Sequence, residues 1–215
     1  MNVMPTIAVI DYGMGNLHSV CKGLEQVGGR TIVTDVAAEI AAADAVLLPG
    51  VGSFDPAMQH LRSRQLEGPV KAAIASGKPF LGVCLGLQLL FEGSDEGQES
   101  GLGIFPGRVV RFRSEPGLTI PHMGWNQLEL SQPHCTLWQD LPDHWMYFVH
   151  SYYVAPADPS LNAATITHGT QTVTAAIARD NVMAAQFHPE KSSNSGLKLL
   201  ANFVERVNHL ALLPV

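Results

Sequence analysis

Residues 78–92, Lys-Pro-Phe-Leu-Gly-Val-Cys-Leu-Gly-Leu-Gln-Leu-Leu-Phe-Glu, constrain this chain more than any other stretch. Phe80, Leu81 and Val83 form a short apolar run after a proline, the pattern of a strand buried on both faces. From Leu85 onward, Leu85, Gln88, Leu89 and Glu92 recur at helical spacing. Between the two, Gly82-Val83-Cys84-Leu85-Gly86 has the form Gly-x-nucleophile-x-Gly. A strand that turns at once into a helix holds its corner residue in a tight conformation, and flanking glycines let the backbone close up around it. The pattern predicts Cys84 exposed at the carboxyl end of a strand and at the positive end of a helix, where a thiolate is favoured. The next backbone N–H, that of Leu85, is then placed to donate to an oxyanion. A lone cysteine is more often a small buried hydrophobe. The elbow, together with the partners described below, makes Cys84 the candidate nucleophile.

The rest of the chain supplies a scaffold for such an elbow. Thr6 to Ile10 is a β-branched run ending at Asp11, a first buried strand. Tyr12 to Asn16 is a glycine-rich turn, and Leu17 to Val27 reads as a helix stopped by Gly28 and Gly29. Thr31–Val33 and Ala45–Leu48 read as further strands, with a short alanine-rich helix between them. Strands alternating with helices call for a parallel sheet with right-handed crossovers. Gly13-x-Gly15 invites a dinucleotide-binding reading, but His18 stands where the third glycine belongs, so a tight turn is the expectation. Pro49-Gly50-Val51-Gly52-Ser53-Phe54 follows the third strand, in the crevice where open α/β sheets bind ligands. The glycines there allow close approach of backbone N–H groups, which suits a second oxyanion donor. A helix from about Asp55 to Ser76 follows, with a kink or break expected at Pro69.

After a polar loop from Gly93 to Gly101 the texture changes. Arg108–Phe112, Met146–Tyr153, Ala163–Thr167, Thr172–Ala178 and Val182–Phe187 are short β-rich runs separated by Pro, Gly, Asn and Asp. They predict an antiparallel layer added to the parallel core, the last pair turning at Arg179-Asp180-Asn181. Ser192 or Ser193 then caps a final helix to about Leu210, with Leu197, Leu200, Phe203, Val204 and Val207 on one face. The expectation is one domain over residues 1–215, since no boundary divides the 215 residues.

Composition narrows the function classes. Hydrophobic residues make up 46% and charged residues 15%, the formal charge is −6, and the basic residues are scattered, so no nucleic-acid surface is expected. Cys21, Cys84 and Cys135 are an odd set at wide spacing, which argues against a disulfide framework and for a reducing compartment. The amino terminus lacks a basic stretch followed by an apolar core, and no apolar run is long enough for a bilayer. A soluble, cytoplasmic protein is therefore expected, without membrane contact. No His-x-His or His-Glu-x-x-His spacing occurs, so no metal and no cofactor are expected; His122 and His150, in aromatic β segments, read as structural or substrate-adjacent.

His188-Pro189-Glu190 closes the last strand. Pro189 keeps His188 out of the helical region, and in an extended chain residues two apart point to the same side. One segment then presents an imidazole and a carboxylate together, a base for Cys84 and a group to orient that base.

These residues carry a resemblance. Gly82 to Gln88, the Pro49–Gly52 loop and Phe187-His188-Pro189-Glu190 look like the class I (triad) glutamine amidotransferases, whose fold is a flavodoxin-like, mostly parallel sheet flanked by helices. Within that class, Asp11–Asn16, Pro121-His122-Met123-Gly124-Trp125-Asn126 and Phe148–Tyr152 resemble the glutaminase subunits of imidazole glycerol phosphate synthases, essentially end to end. The resemblance implies that Cys84 attacks the side-chain amide carbon of L-glutamine. His188 would protonate the departing ammonia and then activate the water that hydrolyses the glutamyl thioester, while Glu190 orients His188. The amides of Leu85 and of Val51, in the Gly50–Gly52 loop, would hold the oxyanion. Gln88 and the Ser151–Tyr152 backbone would hold the amino-acid end. Ammonia would pass to a (β/α)8-barrel cyclase subunit in a heterodimer serving histidine biosynthesis, with Asn16, Trp125, Tyr147 and Lys191 at or near the interface. The rivals are a glutaminase of another synthase, such as that of pyridoxal phosphate, a cysteine peptidase or α/β hydrolase sharing the elbow, and a non-catalytic regulatory subunit.

Overall fold

Strand β1 (Thr6–Ile10) is covered on both faces, and its side chains alternate between two cores. In the computed structural model, which describes residues 4–211, Ile7 and Val9 face one side of the sheet and Ala8 and Ile10 the other. Residues 1–3, where the amino-terminal stretch read for a leader begins, lie outside the described residues. From β1 the chain runs through α1 (Leu17–Gln26), β2 (Arg30–Thr34), α2 (Ala37–Ala42), β3 (Ala45–Leu48), α3 (Phe54–Ser63), α4 (Glu67–Ala75), β4 (Phe80–Val83) and α5 (Leu85–Gln88). It continues through β5 (Gly107–Arg111), β6 (His122–Gln127), β7 (Glu129–Leu130), β8 (Trp145–His150), β9 (Tyr152–Pro156), β10 (Asn162–His168), β11 (Gln171–Arg179), β12 (Val182–Ala185) and α6 (Ser193–Ala211).

Eight strands form one sheet in the order β2-β1-β3-β4-β12-β11-β10-β7. The first five run parallel, and β11, β10 and β7 continue the sheet antiparallel. The parallel part is the flavodoxin-like order, and its inner strands β3 and β4 are unbroken buried runs because both faces are covered. One core holds Leu24 of α1 and Leu200, Phe203 and Val204 of α6; the other holds Phe54, Met58 and Leu61 of α3 and Val70 of α4. The added antiparallel layer takes two forms, the extension of the main sheet and two separate ribbons, β5–β9 and β6–β8. The β11–β12 turn falls where expected, with Asp180 at φ 55°.

Several boundaries differ from expectation for identifiable reasons. The helix expected over 55–76 is two helices, and the break is not at Pro69 but at Arg64–Leu66, where Gln65 adopts φ 57°. Pro69 sits in the first turn of α4, where its missing N–H costs nothing. The helix after the elbow stops at Gln88, short of Glu92. The amides of Leu102, Ile104 and Gly103 donate to the carbonyls of Leu89, Leu90 and Phe91, giving those carbonyls partners outside a helix. The run Met146–Tyr153 is two strands, parted at Ser151. On α6 the inward position expected of Leu197 belongs to Leu199, which is fully buried. Among the described residues no helix is long and apolar enough to cross a membrane.

Candidate active site

Strand β4 delivers Cys84 to the carboxyl edge of the parallel sheet, with its neighbours β3 and β12 on either side. The thiol-bearing residue takes φ 54° and ψ −111°, a conformation L-residues rarely hold, and its N–H is pinned to the Ala185 carbonyl at 2.7 Å. The two elbow glycines are steric necessities. A Cβ on Gly82 would stand 2.9 Å from that of Ala184, and one on Gly86 would collide with the Leu48 carbonyl. Cys84 is 8% exposed rather than open to solvent, and it lines a pocket of about 310 Å³. Because α5 is a single turn, little helix dipole reaches the sulfur; the charged group beside it is His188.

His188 follows β12 with φ −103° and ψ 98°, extended as Pro189 dictates. Glu190 meets it by a different route from the one expected: Pro189–Lys191 is a turn of 3-10 helix, and that turn brings the carboxylate back onto the ring. His188 Nδ1 lies 2.8 Å from Glu190 Oε1, with side chains 3% and 2% exposed. Burial alone pulls the imidazole pKa down, but hydrogen bonds to Cys84 and Glu190, and their charges, outweigh it and raise the value to about 9. At neutral pH the ring is an imidazolium between a sulfur and a carboxylate.

The Pro49–Gly52 loop flanks this pair. Tyr12, buried after β1, donates its hydroxyl to the Pro49 carbonyl at 2.8 Å, and burial keeps the phenol protonated by raising its pKa far above its ordinary value. The Leu85 N–H, expected to face an oxyanion, donates to the Gly50 carbonyl at 3.3 Å. Gly52 holds φ 100°, and Val51 is 39% exposed at the pocket mouth. An oxyanion arriving beside Cys84 therefore competes with Gly50 for one of its two expected donors.

Gln88, Ser151, Tyr152, His150 and Glu96 also line the pocket. Gln88 Nε2 donates to the Tyr152 carbonyl at 3.1 Å, and His150 Nδ1 lies 2.8 Å from the same oxygen. Since a carbonyl only accepts, His150 carries its proton on Nδ1. Burial lowers its pKa to about 3, and lowers that of His122, 3.3 Å away, to about 4. Both rings are neutral struts. Glu96 escaped the sequence reading: it lies in the loop after α5, accepts the Phe54 N–H at 2.9 Å, and brings a carboxylate to the pocket. Only its place within the polar Gly93–Gly101 loop hinted at it.

Of the expected interface residues, Asn16 caps α1 by accepting from the Ser19 N–H, and Lys191 is exposed beside Glu190. Trp125 and Tyr147 face each other across β6–β8, ring centroids 6.0 Å apart. They share an outward face with Met123 and Trp145, while His122, Met146, Phe148 and His150 point inward. All three cysteines are free.

The model of the class-I glutamine amidotransferases matches residues 8–207. The chain belongs to that family. It is 68% identical over 212 residues to the imidazole glycerol phosphate synthase subunit HisH of Acaryochloris marina, covering 98% of this chain and 99% of that protein. It is 69% identical over 210 residues to the HisH of Microcystis aeruginosa, covering 97% and 99%. Among solved structures, a crystal structure described as a glutamine amidotransferase superposes with a TM-score of 0.72 at 16% identity over 94% of this chain and 98% of that one. A putative GMP synthase subunit from Thermoplasma acidophilum gives 0.71 at 20% identity over 98% of each chain. These two establish the shared fold. As a class-I glutamine amidotransferase the chain is an enzyme, which removes the reading of a non-catalytic subunit.

Proposed function

We propose that this chain hydrolyses L-glutamine to glutamate and ammonia through a cysteinyl thioester, as the glutaminase subunit of an imidazole glycerol phosphate synthase in L-histidine biosynthesis. The single observation that carries the chemistry is the buried Cys84–His188–Glu190 set, with the imidazole raised to about 9, at the floor of a pocket sized for an amino acid. Cys84 sulfur attacks the amide carbon; the imidazolium of His188 gives its proton to the departing ammonia. Now neutral, the ring takes a proton from water, which attacks the thioester and frees glutamate and the thiolate. Glu190 keeps the proton-bearing Nδ1 oriented and stabilises the imidazolium each time it forms. Among the described residues Glu96 is the one carboxylate lining the pocket, and it is the counter-charge for the substrate α-ammonium, with Gln88 and the Ser151–Tyr152 backbone taking the rest of the amino-acid end.

The partner is a (β/α)8-barrel cyclase subunit, and the docking surface is the outward face of β6–β8. Met123, Trp125 and Trp145 are 63%, 50% and 47% exposed there, three large apolar side chains gathered on one face, the kind of patch that marks a partner site. Asn16 and Lys191 belong to the same interface. The face connects to the catalytic base: His188 N–H donates to the Tyr147 carbonyl at 3.0 Å, and Tyr147 N–H donates to Ser192 Oγ at 3.0 Å, which donates to the His188 carbonyl at 2.7 Å. Docking against Tyr147 thus bears on His188 directly. It also favours a Gly50–Gly52 loop conformation in which Leu85 N–H is released and Val51 N–H faces the oxyanion, a donor worth about 10²–10³ in rate. Steady-state glutaminase turnover of the chain alone, and with the cyclase and its nucleotide ligand, tests this. Strong stimulation is expected; equal turnover overturns the reading.

A further inference from the structure

Gln186 lies on the segment between β12 and His188 and is 0% exposed, yet nothing in the mechanism above uses it. Its side-chain orientation is fixed by a chain of hydrogen bonds that admits one solution. The Tyr152 carbonyl only accepts, so the Gln88 group facing it is the amide nitrogen. That same nitrogen lies 3.0 Å from Gln186, so the Gln186 atom facing Gln88 is the oxygen. The remaining Gln186 atom is therefore Nε2, an N–H donor, and it stands 3.7 Å from Cys84 Sγ. We infer that Gln186 is a further catalytic residue of this glutaminase, a fixed N–H donor to the nucleophilic sulfur that stabilises its anionic form. The inference deepens the proposed function and rests on Cys84 being the nucleophile.

The physical need is plain. A sulfur anion on a residue only 8% exposed is poorly hydrated, and His188 supplies only one partner. An amide held from behind replaces a water without occupying the pocket, which Gln186 does not line. The bond strengthens whenever the sulfur is anionic, before attack and again as the thioester breaks, and weakens while the sulfur is acylated. It also limits the sulfur's rotation toward the reacting carbon. The titratable groups facing Cys84 are His188 and, behind it, Glu190; Tyr12 from the turn after β1; and Glu96 and His150 across the pocket. None of them is in hydrogen-bond contact with the Gln186 side chain.

The test uses iodoacetamide, a small neutral alkylating probe that needs no glutamine recognition, on the full chain and on Gln186→Met, which keeps length and apolar volume but donates nothing. The alkylation rate of Cys84 against pH is expected to move upward by about one pH unit in the variant. With the cyclase present, kcat for glutamine is expected to fall roughly tenfold with KM unchanged. An unshifted alkylation profile overturns the inference. So does a loss expressed only in KM. In the unmutated protein, the Gln186 side-chain amide proton should titrate in nuclear magnetic resonance with the same apparent pKa as Cys84 alkylation. A resonance that ignores that titration overturns the inference even if the variant fails to fold. If Cys84→Ala leaves the labelling and turnover intact, the nucleophile assignment has failed instead, which separates the two.

Discussion

A histidine held at about 9 by a thiol and a carboxylate sets the pH behaviour of the site. Because the folded value lies above the ordinary 6.5, the stability His188 contributes is complete below about pH 6.5 and is lost as pH rises through about 9. In the proposed mechanism, the acid for departing ammonia is lost as pH rises through about 9. Glutaminase turnover in the complex should therefore fall above about pH 9, and Glu190→Gln should bring that limb to lower pH by removing one of the groups that raise it. A rate profile measured on both proteins checks this; coincident alkaline limbs would contradict it. His122 and His150 run the other way. Their folded values are depressed to about 4 and 3, so their contribution is present above about 6.5 and is lost as pH falls toward those values. Glu190→Gln should cost less turnover than His188→Ala, since the carboxylate orients what the imidazole transfers. A glutamine-mimicking electrophile should modify Cys84 and spare Cys21 and Cys135, whose thiols burial pushes up. Cys84, His188 and Glu190 were readable in the sequence because each sits in a short motif. Glu96 and Gln186 were not: one reaches the pocket on a loop, the other through a bond to a residue 98 positions away.

At the scale of elements, the elbow is the most demanding piece of backbone. Gly86 packs against the Leu48 carbonyl with no room for a methyl group. Gly86→Ala should therefore destabilise the fold by about 3 kcal/mol or more. Chemical denaturation measures this, and a variant as stable as wild type would contradict the packing described. Elements whose signals were local came through the sequence well: β1, β3, β4 and the α6 stripe are runs of apolar residues at the strand or helix period. Those that failed were settled by distant partners. The shortness of α5 depends on amides from 102–104, and the break between α3 and α4 on the left-handed Gln65, neither of which leaves a trace in periodicity. Glu99 pairs with Arg62 of α3, tying the pocket loop to that helix, a contact between residues 37 apart. The interleaving of β12 beside β4 was equally invisible, although it is what carries His188 to Cys84.

The whole molecule is a mostly parallel sheet whose carboxyl edge carries Cys84 and His188, beside a separate β6–β8 ribbon with an aromatic face. Ammonia in neutral water is mostly ammonium and no longer a nucleophile, so a glutaminase feeding a synthase gains from staying idle until the path to its partner is closed. In the proposed reading, the Leu85 N–H engaged by Gly50 and the Tyr147–His188–Ser192 bonds are the parts through which such control would act. Trp125→Ala should leave the isolated fold intact and weaken stimulation by the cyclase; undiminished stimulation and affinity, by titration, would remove Trp125 from the interface. The central claim is the covalent one, and a rapid acid quench tests it most directly. The chain, with its cyclase and nucleotide ligand, is mixed with isotopically labelled glutamine, quenched during turnover, digested and mapped by mass spectrometry. A labelled glutamyl group is expected on the peptide holding Cys84, absent in Cys84→Ala, which should also release no ammonia. Ammonia release by Cys84→Ala near the wild-type rate, or label carried by Cys21 or Cys135, would contradict it.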